Sequence, residues 1–345
     1  METRIFNRRL VVVEGWYWAL RSRSLRRGKA KAVTLNGRDL VLYRTAGGDA
    51  LAADAYCPHM GCHLSLGKVE GDCLRCFFHN WAFAPDGRCA EVPSLDQPPA
   101  GVRLRVWHTR EASGVIWVWV GDGEPAHDVP VPPELAGTGF DFALGRSFRK
   151  NCHPNVVMIN AIDEQHFRTV HKIPGEVLSL APEETTPSQI QFRNTEKLPP
   201  TNAVFRWASR FYAGPLRYEL SYWYGHNGAV TMGPDFLHVY IMFALRQSAK
   251  GGTEGQTLVF TRRRRGILGW LVNRLLLLVT HWVGNYFSVG DTKVFQTIRF
   301  DYRTPVPADR AVQAFIRHLE RQNAVAWAEP RRLAAVAPTS RQTDA

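Results

Sequence analysis

Cysteine is scarce, with six in 345 residues. So few, with no secretory signal ahead of them, argue against a disulfide scaffold and set the expectation of a cytoplasmic protein. Acidic side chains are also in deficit, 31 against 43 Lys and Arg, which leaves a net charge of +12. No nucleic-acid motif accompanies that excess, so no nucleic-acid partner is expected; an acidic protein partner is the better match for the charge. The chain also lacks an uninterrupted apolar run long enough to span a bilayer. Ile267 to Val283 is broken by Asn273, Arg274 and His281, whereas a spanning helix needs about 20 mostly apolar residues. A core helix is expected there. Contact with a membrane surface is the alternative, because Arg262 to Arg265 precede the run and Trp270 and Trp282 lie within it.

Four residues that ligate metals do stand out. Cys57-Pro-His59, then sixteen residues, then Cys76-Phe-Phe-His79 form the pattern C-x-H-x16-C-x2-H. Two thiolates and two imidazoles at this spacing suit a [2Fe–2S] cluster in which two histidines replace two cysteines on one iron. Zinc is the competing occupant, since Cys73-Leu-Arg-Cys76 could join Cys57, His59 or His79 in a tetrahedral site. The aromatic run after His79 has no place in that account. With Pro58, Gly61, Leu64-Ser65, Trp81 and Phe83 around the ligands, the segment resembles the Rieske motif. Respiratory Rieske proteins share a cysteine at the position of Cys62, but their partner cysteine is Phe78 here, so that loop disulfide cannot form. Where they place a Ser that raises the potential, this chain has Trp81. Rieske potentials span roughly −150 to +300 mV, and loss of a hydroxyl donor favours the low end.

An electron carrier alone would not need the 200 and more residues that follow. They contain Asn160-Ala-Ile-Asp163-Glu-Gln-His166-Phe-Arg-Thr-Val-His171. Histidines five apart on a straight helix diverge by about 140°. A bend or a helix end near His171 is required before one metal could hold both, and Pro174-Gly175 supports one. Downstream of a Rieske motif, N-x-x-D-x-x-H-x4-H resembles the catalytic signature of the Rieske non-haem iron oxygenases, in their catalytic (alpha) subunit. The resemblance implies mononuclear Fe(II) held by His166, His171 and a later carboxylate. Asp163 becomes the bridging residue, bonded to His166 of its own subunit and to the cluster ligand His79 of a neighbouring one. Asn160 stands beside the iron. Asp291 is the chosen third ligand, with Asp235, Asp301 and Glu219 as rivals.

Fold class follows the same division. Arg38 to Tyr43 and Val115 to Val120 read as strands of an all-β domain over residues 15–122, with Gly37, Gly47-Gly48, Gly71 and Asp86-Gly87 as turns. Pro125 to Pro133 is a linker. Residues 123–335 read as α+β, with strands at Arg217 to Tyr224, Ala229 to Met232, Leu237 to Arg246 and Thr257 to Arg262. Helices are expected near 153–171, 267–298 and 308–326. By resemblance this is the antiparallel helix-grip catalytic domain, and 336–345 form a disordered tail.

The resemblance further implies an oxygenase that uses O₂ and electrons from an NAD(P)H-linked flavin reductase, directly or through a ferredoxin, and that assembles as a homotrimer. Arg21, Arg23, Arg26, Arg27 and Lys29 are candidate donor-facing charges. The catalytic stretch is similar to that of aminopyrrolnitrin oxygenase and the prodiginine oxidative cyclases. That similarity implies hydroxylation, demethylation, N-oxygenation or cyclisation of a small apolar or aromatic molecule in natural-product tailoring. A ring-hydroxylating dioxygenase of a degradation pathway and a Rieske electron carrier are the alternatives. Phe167, Phe211, Tyr240, Phe243, Trp282 and Tyr286 are candidate pocket residues.

Overall fold

The computed structural model describes residues 3–171, 179–194, 216–234 and 236–327. Strands Gly15–Arg21 and Val115–Val120 pair antiparallel and form a wall. In a strand, alternate residues face opposite sides, and both sides are apolar here. Tyr17, Ala19, Ile116, Val118 and Val120 enter the core of the first domain. Trp16, Trp18, Trp117 and Trp119 point the other way and join the core of the large sheet. The wall therefore stands between two cores and supplies side chains to both. Arg246 fastens the wall. Its buried guanidinium pairs with Glu254 at 2.8 Å, lies over the Trp18 ring at 4.1 Å, and donates to the carbonyls of Trp18 and Ala19. A charge this deep is tolerable only when paired and hydrogen-bonded.

Beyond the wall, strands Ala30–Leu35, Arg38–Arg44, Ala50–Asp54 and Val106–Trp107 make a second sheet. A third, of Lys68–Glu70, Cys73–Arg75, Ala82–Phe83 and Cys89–Glu91, carries the cysteine-histidine loops. The ends of the chain cross between domains. Val12–Val13 pairs with Ala324–Val325, and Phe6 packs edge-on against Phe315. Trp327 donates from Nε1 to the Leu35 carbonyl at 2.7 Å, beside Trp107.

The large sheet has seven antiparallel strands in the spatial order Phe140–Lys150, Thr253–Arg262, Val239–Gln247, Asn227–Pro234, Leu216–Trp223, Gln189–Asn194, Leu180–Thr186. Helix α1 is Pro154–Asn160 and α2 is Glu164–Thr169; the single helix expected over 153–171 is thus interrupted. Asp163 supplies the reason. Its carboxylate accepts from Gln165 N at 2.9 Å as the N-cap of α2, which requires non-helical backbone at that residue. Helix α3, Gly266–Thr297, packs across the first three strands, and α4, Arg310–Glu320, across the last two. Asn273 anchors α3. It is buried, donates to Asp141 Oδ2 at 2.8 Å and accepts from Arg264 at 2.9 Å. Burial would raise the Asp141 carboxyl, but the bonds from Asn273 and Arg263 hold it below its ordinary range.

Candidate metal centres

Cys57 and Cys76 open two loops of matching design. Cys57 N–H donates to Cys62 O and Gly61 N–H to Cys57 O, both at 2.9 Å. Cys76 N–H donates to Trp81 O at 2.9 Å and Asn80 N–H to Cys76 O at 3.1 Å. Each loop closes through a left-handed residue, Gly61 at φ 73° and Asn80 at φ 59°, the two residue types that adopt that region most readily. The loops bring His59 and His79 to 4.7 Å between ring centroids, with His59 stacked on Trp81 at 4.2 Å. His79 is exposed at the tip, while Cys57 and Cys76 are buried. Burial, reinforced by Cys76 alongside, pushes the Cys57 thiol up to about 12; a bound cation is what would deprotonate such a thiol. Among the described residues, no three ligand atoms of these loops lie within 4.8 Å of one another. A single tetrahedral zinc needs tighter convergence, whereas a two-iron cluster spreads its ligands. All six cysteines are free thiols.

The second centre forms where the helices end. His166 lies on α2, and His171 follows its last residue, Thr169, so the chain turns before the second imidazole, as the five-residue spacing demanded. Asp291, on α3, meets both: its Oδ1 is 3.0 Å from His171 Nε2 and 3.7 Å from His166 Nε2. Two ligands at about 2.1 Å from one metal and at right angles lie about 3.0 Å apart. Asp291 Oδ1 is buried, and no hydrogen bond satisfies it. The approach of His171 is thus close without being a hydrogen bond, and a cation between them would supply the missing partner. Asp301 pairs instead with Arg303, and Glu219 with Arg193; Asp235 lies outside the described residues.

The imidazole of His166 is held in one tautomer. Its Nδ1 is 2.7 Å from the backbone carbonyl of Asp163. A carbonyl only accepts, so the proton sits on Nδ1 and the Nε2 lone pair faces Asp291. Burial lowers the pKa of His166, against the pull of the Asp163 carbonyl and of Asp291, and so favours the neutral, ligating form. The bond expected from the Asp163 carboxylate is corrected: the backbone orients His166, and the carboxylate caps α2. Asn160 Nδ2 stands 3.3 Å from the same Nε2, at the rim of the ligand set.

Gly290 permits the approach of α3. A Cβ there would lie 3.0 Å from Val170 Cγ1 and 3.7 Å from His171 Cε1. Gly290→Val is expected to destabilise by roughly 1–3 kcal/mol through overpacking and to lower iron retention. Thermal unfolding and iron content check both effects, and a variant that retains iron like the parent would exclude this role for the glycine.

A cavity of about 250 Å³ opens beside the three ligands, between the sheet and α3. Asn160 and Asp291 reach it from one end. Phe243, Ile241 and Phe295 supply apolar wall, and Arg146, Lys150, His281 and Asn285 supply polar groups. Lys150 donates to Thr292 Oγ1 at 2.6 Å. Sequence reading missed the strand positions 146, 148 and 150, although their alternation is the signal that one strand face would give. Of the pocket residues expected, Phe243 lines the cavity, while Phe167 packs on His166. Tyr240 is bonded to Glu134 at 2.9 Å, and Trp282 is exposed on the outer side of α3. Phe211 and the Tyr286 side chain lie outside what is described. Arg21 turns inward to Gln256 and the Gly145 carbonyl, which leaves Arg23, Arg26, Arg27 and Lys29 on the surface.

Residues 15–108 match the Rieske [2Fe–2S] domain. Cholesterol 7-desaturase nvd of Bombyx mori is 36% identical over 161 residues, 46% of this chain and 35% of that protein. Aminopyrrolnitrin oxygenase PrnD of Pseudomonas fluorescens is 33% identical over 173 residues, 48% of this chain and 47% of that protein. The matched stretches span less than half of these relatives. Among solved structures, NdmA of Pseudomonas putida CBB5 with caffeine superimposes with a TM-score of 0.64 at 16% identity, covering 92% of this chain and 97% of that one. That likeness concerns the fold.

Proposed function

Because the chain carries a Rieske [2Fe–2S] domain and has the fold of Rieske oxygenase catalytic subunits, we propose that it is the terminal component of an oxygenase. It would oxidise a small, apolar organic molecule with O₂ and electrons from an external NAD(P)H-linked donor. The observation that carries this is the convergence of His166, His171 and Asp291 at one end of a largely apolar cavity. Ferrous iron on a two-histidine, one-carboxylate face supplies open positions for O₂. The protein's part is to place and protect. The Asp163 carbonyl fixes the His166 ring, Gly290 lets Asp291 close the ligand set, and Phe243, Ile241 and Phe295 hold an apolar substrate out of water beside it.

On this reading Cys57, His59, Cys76 and His79 hold the cluster. Tyr56, Met60, Leu66, Phe77 and Phe78 make an exposed apolar surround for it, which supports a neighbouring subunit there and hence a homotrimer. Arg23, Arg26, Arg27 and Lys29 favour an acidic ferredoxin or reductase as donor, in the cytoplasm. The names of the relatives point to sterol-like or aryl substrates, and natural-product tailoring is the setting we propose. The test is a single turnover of dithionite-reduced protein with ¹⁸O₂ and, in turn, cholesterol, a 3-ketosteroid and aminopyrrolnitrin, read by mass spectrometry. One labelled oxygen on carbon supports monooxygenation, label on the amine nitrogen supports N-oxygenation, and two labelled oxygens on adjacent ring carbons support the ring-dihydroxylating alternative. No label and no oxidised product with any of the three, in protein loaded with both metals, would favour an electron carrier.

A further inference from the structure

Helix α3 packs one face on the sheet, and among the described residues its other face is apolar and exposed. Asn273, Leu277 and Thr280 are buried against the sheet, and His281, Gly284 and Asn285 line the cavity. On the far side Ile267, Leu268, Leu271, Leu275, Leu278 and Trp282 are exposed, Leu268 by 75% and Leu278 by 69%. Residues 267, 271, 275, 278 and 282 follow one another at helical spacing, so they form a single stripe about 22 Å long. A helix that is apolar all round belongs inside a protein or in lipid. Among the described residues, the core helix expected from the sequence is therefore covered mainly on its inner side.

The charge around the stripe indicates what covers the rest. Between Arg262 and Gly290 there are five arginines and no acidic residue. Arg262 and Arg263 are paired within the fold, while Arg265 opens the helix and Arg274 lies over the Trp270 ring at 5.5 Å. Trp270 and Trp282 are both exposed. Basic residues and tryptophans flanking an apolar stripe are the composition of helices that lie in the headgroup region of anionic bilayers. The inner face of α3 is fixed to the sheet, so the helix would lie along the surface rather than cross it.

We infer that the outer face of α3 docks this protein on an anionic lipid surface. The docking stands on the helix alone. Its consequence, that an apolar substrate passes from the bilayer into the cavity lined by the inner face of the same helix, rests on the oxygenase reading. Cluster-loaded full-length protein is floated with vesicles of phosphatidylcholine alone and of phosphatidylcholine mixed with phosphatidylglycerol. The expected result is flotation with the anionic vesicles, weakened by salt, and at least tenfold less for Leu271→Glu/Leu275→Glu/Leu278→Glu. Arg265→Glu/Arg274→Glu, which leaves the apolar stripe intact, should lose the preference for anionic lipid. Cluster absorbance confirms that each variant is folded. Wild-type protein that stays at the bottom of both gradients would overturn the proposal, as would variants that float like the parent. So would a triple variant whose sedimentation velocity shows a smaller assembly, because a second copy would then be what covers the face. Flotation needs no turnover, so failure here leaves the oxygenase reading standing, and absence of oxygen incorporation leaves the docking standing.

Discussion

Asp291→Ala is expected to remove one iron per chain and leave the cluster in place. Its Oδ1 is the atom that approaches both imidazoles, at 3.0 and 3.7 Å, and Asp301 and Glu219 are engaged elsewhere. Iron should fall from about three to about two per chain, while acid-labile sulfide stays at about two. Substitutions one shell farther out from a metal typically cost 10–100-fold, so turnover should fall by at least about 10²-fold. Metal-free protein provides the control. There Asp291 Oδ1 is a buried oxygen without a hydrogen bond, and removing an unsatisfied buried group relieves a penalty of about 1–3 kcal/mol. The variant should therefore melt no lower than the parent once both are stripped of metal. A marked loss of stability in the stripped variant would mean that Asp291 serves as an ion-pair partner of His171 and not as a ligand.

Asp163→Asn should leave both metals bound and slow electron transfer between them by roughly 10–100-fold. Asn caps helices as well as Asp does, so α2 should keep its start at Glu164. His166 keeps its orientation too, because its Nδ1 bonds the backbone carbonyl of residue 163 rather than the side chain. What the substitution removes is a half-buried carboxylate charge, which on the homotrimer reading would meet a cluster histidine of an adjoining subunit. Reoxidation of the reduced cluster in a single turnover with O₂, followed by its absorbance, gives the rate. An unchanged rate would show that the Asp163 carboxylate is only a helix cap and that the subunit contact runs through other groups.

The cluster loops were legible in the sequence because all their determinants lie within 27 consecutive residues and the geometry is local. The need for a bend between His166 and His171 was legible too, from the angle that five residues subtend on a helix. The single helix expected over 153–171 overlooked Asp163, whose side chain caps α2 and splits it from α1. Asp291 depends on a long-range approach of α3, and the motif around it does not encode which carboxylate arrives. No sequence pattern separates a backbone acceptor from a side-chain one, so the partner of His166 was assigned to the wrong oxygen. Trp282 was placed in the pocket for a related reason. When both faces of a helix are apolar, hydropathy cannot say which one meets the sheet, and the buried Asn273 and Thr280 mark the inner face of α3 better than any leucine does. The two-sided role of this strand was hidden in plain alternation, since Trp117 and Trp119 point away from Ile116 and Val118 and into the core of the large sheet.

The measurement that bears most directly on the central claim is the count of iron, zinc and acid-labile sulfide per chain in protein purified without air. Two separate centres predict about three irons, about two sulfides and no stoichiometric zinc, with the third iron restored by Fe(II) if it is lost on handling. Two irons and two sulfides, with no Fe(II) taken up on re-addition, would contradict a metal at His166, His171 and Asp291. Zinc without sulfide would contradict both centres.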